Sequence, residues 1–151
     1  MAIRNIFQEG NECLKKKCKS VDKFDHRLHT LLDDLRDTMR AAEGAGLAAP
    51  QVGILRRVAV IEADGVYLEM VNPVIVERSG EQIAMEGCLS VNPDKNCLVA
   101  RAKDVVVEAY DRHGNKYAKK LSDLAARACQ HELDHLDGVL FYTKKYQGNG
   151  K

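Results

Sequence analysis

Nowhere in the 151 residues is there an apolar run long enough to span a bilayer, so a helical membrane anchor within them is excluded. The opening MAIRNIFQEG is too short of apolar residues for a signal peptide, and export is not expected. Charge is almost balanced, with 23 Lys and Arg against 22 Asp and Glu. The net +1 gives no electrostatic reason to bind nucleic acid or a membrane surface. There is no internal repeat and no low-complexity segment. The five cysteines, at 13, 18, 88, 97 and 129, are odd in number, which argues against a disulfide framework. Free thiols or thiolate ligands in a reducing compartment are the expectation, with the cytoplasm as the location. What remains is a soluble-domain balance, 45% hydrophobic and 30% charged, at a length that suits one domain with a real core.

Apolar side chains at Leu28, Leu31, Leu32, Leu35, Met39 and Ala42 recur at helical spacing. They predict a helix over 25–43 with Asp25 as N-cap and Gly44 as the stop. His26 and His29, near its start, read as surface histidines. The middle of the chain predicts strands in RVAVIEA, YLEMVNPVIVERSG, NCLVA and DVVVEAYDRHGNKYAKKL, with DRHGN as a hairpin turn that leaves His113 at a loop tip. A second helix is expected from Ser122, as N-cap, to a C-terminal glycine at Gly138. Its apolar residues fall on two faces, so it should be buried on most sides. The expected fold class is α+β, with antiparallel sheets packed around this central helix and the other helix N-terminal to them. One domain over 1–143 is followed by a polar tail at 144–151, expected to be flexible.

The second helix carries His131-Glu132-x-x-His135. Residues four apart on a helix lie about 40° from each other around the axis, so both imidazoles can reach one cation. Glu132 stands roughly 100° further round, placed as a base rather than a ligand. A catalytic site of this kind needs a third protein ligand and an open position. The metzincin continuation would place a histidine where Phe141 stands, and after His135 the sequence holds neither Glu nor His. Either the third ligand comes from upstream or there is no site. Cys129 lies on the wrong side of the helix and reads as a buried small hydrophobe. Cys13 and Cys18 have no ligand-like neighbours, and Cys97 reads as a strand residue. Cys88, in MEGCLSVNP behind the backbone freedom of Gly87, is the best placed, although spacing alone leaves a core role open. GAGLAAPQ is no dinucleotide fingerprint, because a helix precedes it and a strand follows it.

GAGLAAPQVG at 44–53, EGCLS at 86–90 and QHELDH at 130–135 occur in the order and spacing of three motifs of the peptide deformylase family, which the chain resembles over nearly its whole length. That resemblance implies Cys88, His131 and His135 as metal ligands. It implies Fe2+ in preference to Zn2+, Ni2+ or Co2+, one ion per chain, and hydrolysis of the N-formyl group from the initiator methionine of new polypeptides, releasing formate. Glu132 would act as general base and acid on the attacking water. Gln51 and the backbone N–H of Leu89 would stabilise the oxyanion. Gly44, Ala45, Gly46 and Gly87 would lie along the peptide, with Leu124 and Ala128 lining the methionine pocket.

The expected partner is the N-formylmethionyl nascent peptide, and the expected state is a monomer. Transient ribosome association is implied by the family, but the chain is too short for the C-terminal helix that some members use for it. Ala45 replaces a bulkier aliphatic residue common in the family, and NPDKN carries one extra residue before CLVA. Two other readings use the same helix: a zinc endopeptidase, and a metal-stabilised binding domain without turnover. Internal cleavage of unformylated peptide would mark the first, and the presence of Glu132 and Gln51 argues against the second.

Overall fold

The computed structural model describes residues 2–148. Helix α1 spans His26–Ala41, and the Asp25 side chain caps it by accepting the Leu28 N–H at 3.2 Å. Leu32, Leu35 and Met39 on its inner stripe are fully buried, worth roughly 1.5–3 kcal/mol each. Its end departs from the expectation. Glu43, not Gly44, takes the left-handed conformation, with φ at 56°. The Gly44 N–H then closes on the Met39 carbonyl at 3.0 Å and the Glu43 N–H on that of Arg40 at 3.1 Å. Gly44 answers to another contact, since a Cβ on it would lie 2.7 Å from Leu89 Cδ1 and force that side chain to shift.

Seven strands follow in two antiparallel sheets. Strands β1 (Gly46–Ala48), β2 (Val58–Ala63), β3 (Val66–Ser79), β6 (Asp104–Tyr110) and β7 (Lys116–Ser122) form a five-stranded sheet in that spatial order. Strands β4 (Gln82–Glu86) and β5 (Cys97–Arg101) pair separately, with Glu86 opposite Cys97 and Gln82 opposite Arg101. β1 and β4 are strands beyond those that the sequence pattern predicts. β1 lies within the glycine-rich motif, where only pairing with β2, Gly46 opposite Ile61, makes three residues extended.

The continuous apolar run of β2 has a simple cause: both faces of the large sheet are covered. Val58 and Val60 pack with Leu28, Leu32 and Leu35 of α1, whereas Ala59 and Ile61 pack with Ala125, Ala126 and Cys129. These three belong to helix α2, Asp123–Leu136. Gly138 ends α2 as expected, at φ 75°, with the Val139 N–H on the Asp134 carbonyl at 2.9 Å. Ser122 sits at the N-cap position but does not cap; its hydroxyl instead donates to Asp104 Oδ1 at 2.5 Å. The 111–115 turn forms as expected and leaves His113 exposed. His29 is not a free surface residue, because it is half-buried with Nε2 2.7 Å from the Arg112 carbonyl oxygen.

Of the expected tail, Tyr146 donates its N–H to the Leu98 carbonyl at 2.7 Å, and residues 149–151 lie outside the described residues. No described helix is long and apolar enough to cross a membrane.

Candidate metal centre and substrate cleft

His131 and His135 project from the last two turns of α2, and both are at least nine-tenths buried. Their ring centroids lie 5.1 Å apart. Cys88 follows β4 by two residues, and its Sγ reaches within 3.2 Å of His135 Nε2. The Cys88 sulfur and one nitrogen from each ring all lie within 4.8 Å of one another, and no other group of three His, Cys, Asp or Glu side chains among the described residues could hold a metal ion. Donors of one tetrahedral ion stand about 3.3–3.8 Å apart, so a small inward adjustment brings the three donors onto it.

The surroundings fit such an ion. His131 Nδ1 is 2.7 Å from Glu86 Oε1, which leaves Nε2 as the ligating nitrogen. Burial drives the His135 imidazole down to about 3, so it is neutral and offers a lone pair. Burial also pulls His131 down, but hydrogen bonds to Cys88 and Glu86 outweigh it and raise the ring to about 10. A cation beside the thiol would take the place of that proton. Among the described residues, two buried side-chain polar atoms have no hydrogen-bond partner, Glu132 Oε1 and His135 Nδ1.

Glu132 is 4% exposed, and burial raises its carboxyl to about 7, a value suited to a base near neutral pH. Its Oε2 lies against β1, where a Cβ on Gly46 would approach it to 2.5 Å. Gln51 is held from both ends: Oε1 accepts the Ala48 N–H at 3.0 Å, while Nε2 donates to Ser90 Oγ at 3.1 Å and towards Cys88 Sγ at 3.6 Å. The Leu89 N–H has no acceptor among the described residues.

These groups meet in a cleft of about 330 Å³. Gly44, Ala45, Gly46 and Gln51 form one wall and Gly87, Cys88 and Leu89 another, with Leu124, Ala128, His131 and Glu132 contributed by α2. Every cleft residue expected from the sequence is therefore here, together with Cys88 and His131; His135 lies behind them, 1% exposed. Leu124 is 48% exposed and stands at the mouth. Gly87 is not needed for an unusual φ. A Cβ there would meet Asn96 Oδ1 at 2.8 Å, and Asn96 and Pro93 bring the NPDKN segment to the cleft edge. Sequence reasoning missed Glu86, Arg127 and these two. For Arg127 a signal existed: it precedes His131 by four residues and so shares its face of α2.

A buried helix bearing two imidazoles one turn apart, a nearby thiol and a buried carboxyl beside a cleft are the features of a hydrolytic metalloenzyme. The polypeptide deformylase family model matches residues 3–149. A peptide deformylase of Acetivibrio thermocellus is 52% identical over 95% of this chain and 84% of its own length. One from Heliobacterium modesticaldum is 47% identical over 99% of this chain and 98% of its own. The crystal structure of a peptide deformylase from Legionella pneumophila superposes with a TM-score of 0.91 at 42% identity, covering 97% of this chain and 88% of that one. The chain belongs to the polypeptide deformylase family, hydrolases that remove the N-formyl group from new polypeptides.

Proposed function

We propose that Cys88, His131 and His135 hold one divalent cation and that Glu132 serves as the proton-transfer group in deformylation of formyl-methionyl peptides. The grouping of Cys88 and His131 with the buried His135 behind them, and of Glu132 in the same cleft, supports this reading. A Cys/His₂ donor set with an open position accommodates several first-row ions, and family resemblance favours Fe2+ over Zn2+, Ni2+ or Co2+. The ion, when bound, polarises the formyl carbonyl and acidifies water. Glu132 takes a proton from the attacking water and returns it to the departing amine. Its burial favours the neutral acid, so taking the proton from water costs less than it would for an exposed carboxylate.

The oxygen of the formyl group gains negative charge as its carbon becomes tetrahedral. The Leu89 N–H stands free to donate to it, and the Gln51 amide turns one N–H from Cys88 Sγ towards it; one such donor is worth about 3 kcal/mol. Gly44 to Gly46 and Gly87 to Leu89 face the peptide across the cleft in an extended pose. The methionine side chain enters between Ala45, Leu124 and Ala128. In this reading α2 is the central element about which both sheets pack, within one domain over 1–143. The enzyme works in the cytoplasm as a monomer.

The test is formate release from a formyl-methionyl tripeptide by protein purified without oxygen, beside Glu132→Ala with the same metal content. Turnover is expected in the wild type and nearly none in the variant. Equal turnover in both would remove Glu132 from its role. Internal cleavage of an unformylated peptide would favour an endopeptidase instead.

A further inference from the structure

Arg127 is 5% exposed in the wall of a cleft that takes an apolar side chain, and nothing in deformylation calls for a guanidinium there. A buried cation is costly unless its hydrogen bonds are well met. Arg127 meets them. Nη2 donates to the Gln82 carbonyl at 3.1 Å and the Val99 carbonyl at 3.0 Å, and Nε to Gln82 Oε1 at 3.3 Å. These bonds tie its plane to β4 and β5, and Nη1 then donates to Glu86 Oε2.

Glu86 is the hub of the arrangement. Its Oε1 accepts Arg101 Nη2 at 2.8 Å and faces His131 Nδ1 at 2.7 Å, while Oε2 accepts Arg101 Nε at 2.9 Å and Arg127 Nη1. A carboxylate has about four acceptor directions, and all four are taken. The Arg101 fork sets the plane of the carboxylate from β5. Arg127 and His131, one turn apart on α2, grip it from the helix. Without Arg127, the only bond from α2 to Glu86 is the imidazole that Glu86 has to orient.

We propose that Arg127 is a positioning residue for the metal centre: it fixes Glu86 so that His131 keeps Nδ1 on the carboxylate and presents Nε2 to Cys88 and His135. The inference rests on the reading of His131 as a ligand. It also differs from a purely structural role, in which Arg127 only staples β4 and β5 to α2 through the two carbonyls.

The experiment measures Co2+ affinity of the full chain stripped of metal, by competition with a chelator and by the thiolate-to-cobalt absorption band. Arg127→Met is expected to weaken Co2+ binding about tenfold, the lower range for loss of a group behind a metal-bound histidine. Arg127→Lys keeps a cation for Glu86 but loses the paired carbonyl bonds, so it is expected to lower Tm while leaving Co2+ affinity close to wild type. In a Glu86→Gln background, Arg127→Met is expected to add nothing further, because its effect travels through Glu86. Equal weakening in both backgrounds, or a loss of Co2+ affinity in Arg127→Lys that follows its loss of Tm, would overturn the proposal in favour of the staple. If Arg127→Met does not fold, the lysine variant in both backgrounds decides alone. A folded wild type that binds no Co2+, or Cys88→Ser that binds it equally well, would instead refute the ligand assignment and this inference with it.

Discussion

Replacing Gly46 by Ala adds one methyl group at the close approach between β1 and the Glu132 carboxyl. The backbone at Gly46 is extended within the β1–β2 ladder and needs no positive φ, so alanine fits the main chain without strain. The obstacle is steric. The new Cβ would lie 2.5 Å from Glu132 Oε2 and 2.9 Å from its Cδ and Cγ. Ordinary contact begins at 3.4 Å, so the carboxylate must retreat by 0.9 Å (3.4 − 2.5). Glu132 is 4% exposed and rooted in a helix packed on the sheet, so the only room is towards the cleft.

A displacement of about 1 Å at a reacting group costs roughly 10²-fold in rate, and overpacking of this kind costs about 1–3 kcal/mol of stability. At roughly 2–4 °C per kcal/mol for a chain of this size, Tm falls by about 2–12 °C. The assay is kcat and KM for a formyl-methionyl tripeptide at matched metal content, with thermal melts of Gly46→Ala alone and combined with Glu132→Ala. The loss should fall on kcat. The melting defect should largely vanish once the Glu132 side chain is gone, because the clash needs both partners. A kcat within a few-fold of wild type, or a Tm loss that persists beside Glu132→Ala, would refute the reasoning.

Cys88→Ser should leave a folded chain that loses its metal on dialysis against a chelator; unchanged metal content would move the third ligand elsewhere. Activity should fall as pH drops, because protonated Glu132 cannot accept the water's proton. Burial, offset in part by the neighbouring His131, puts that midpoint at about 7, and the charge of a bound cation displaces it downwards. An acid limb that survives unchanged in the residual activity of Glu132→Gln would belong to another group. Phe141, 1% exposed and stacked on His131 at 5.8 Å between ring centroids, should cost about 3–5 kcal/mol when cut to alanine. Urea denaturation would show this as a lower midpoint at constant slope, together with weaker metal retention; an unchanged midpoint would mean that the ring is not a core support.

The relation of His131, Glu132 and His135 to one another was settled by sequence, since four residues on a helix make barely more than one turn. The N-cap at Asp25 and the end of α2 at Gly138 were legible for the same reason: each is decided within a few residues. The apolar runs of β2 and β6 likewise announced strands. Motif spacing carried the family, and with it the set Cys88, His131, His135.

Tertiary structure decided the rest. β1 is a strand only because β2 lies beside it, and its glycine is needed because a carboxyl from α2 arrives there. Gly44, expected as a helix stop, answers instead to Leu89, 45 residues further on (89 − 44), and Gly87 answers to Asn96. Phe141 stands where another metalloenzyme pattern would put a ligand, and in this fold it stacks on His131. The grip on Glu86 joins β4, β5 and α2, three segments that no local pattern relates. Backbone geometry carries information over about one turn of helix or a pair of strand residues. A buried charge or a missing Cβ is set by whichever distant segment packs against it, and that is known only once the chain has folded.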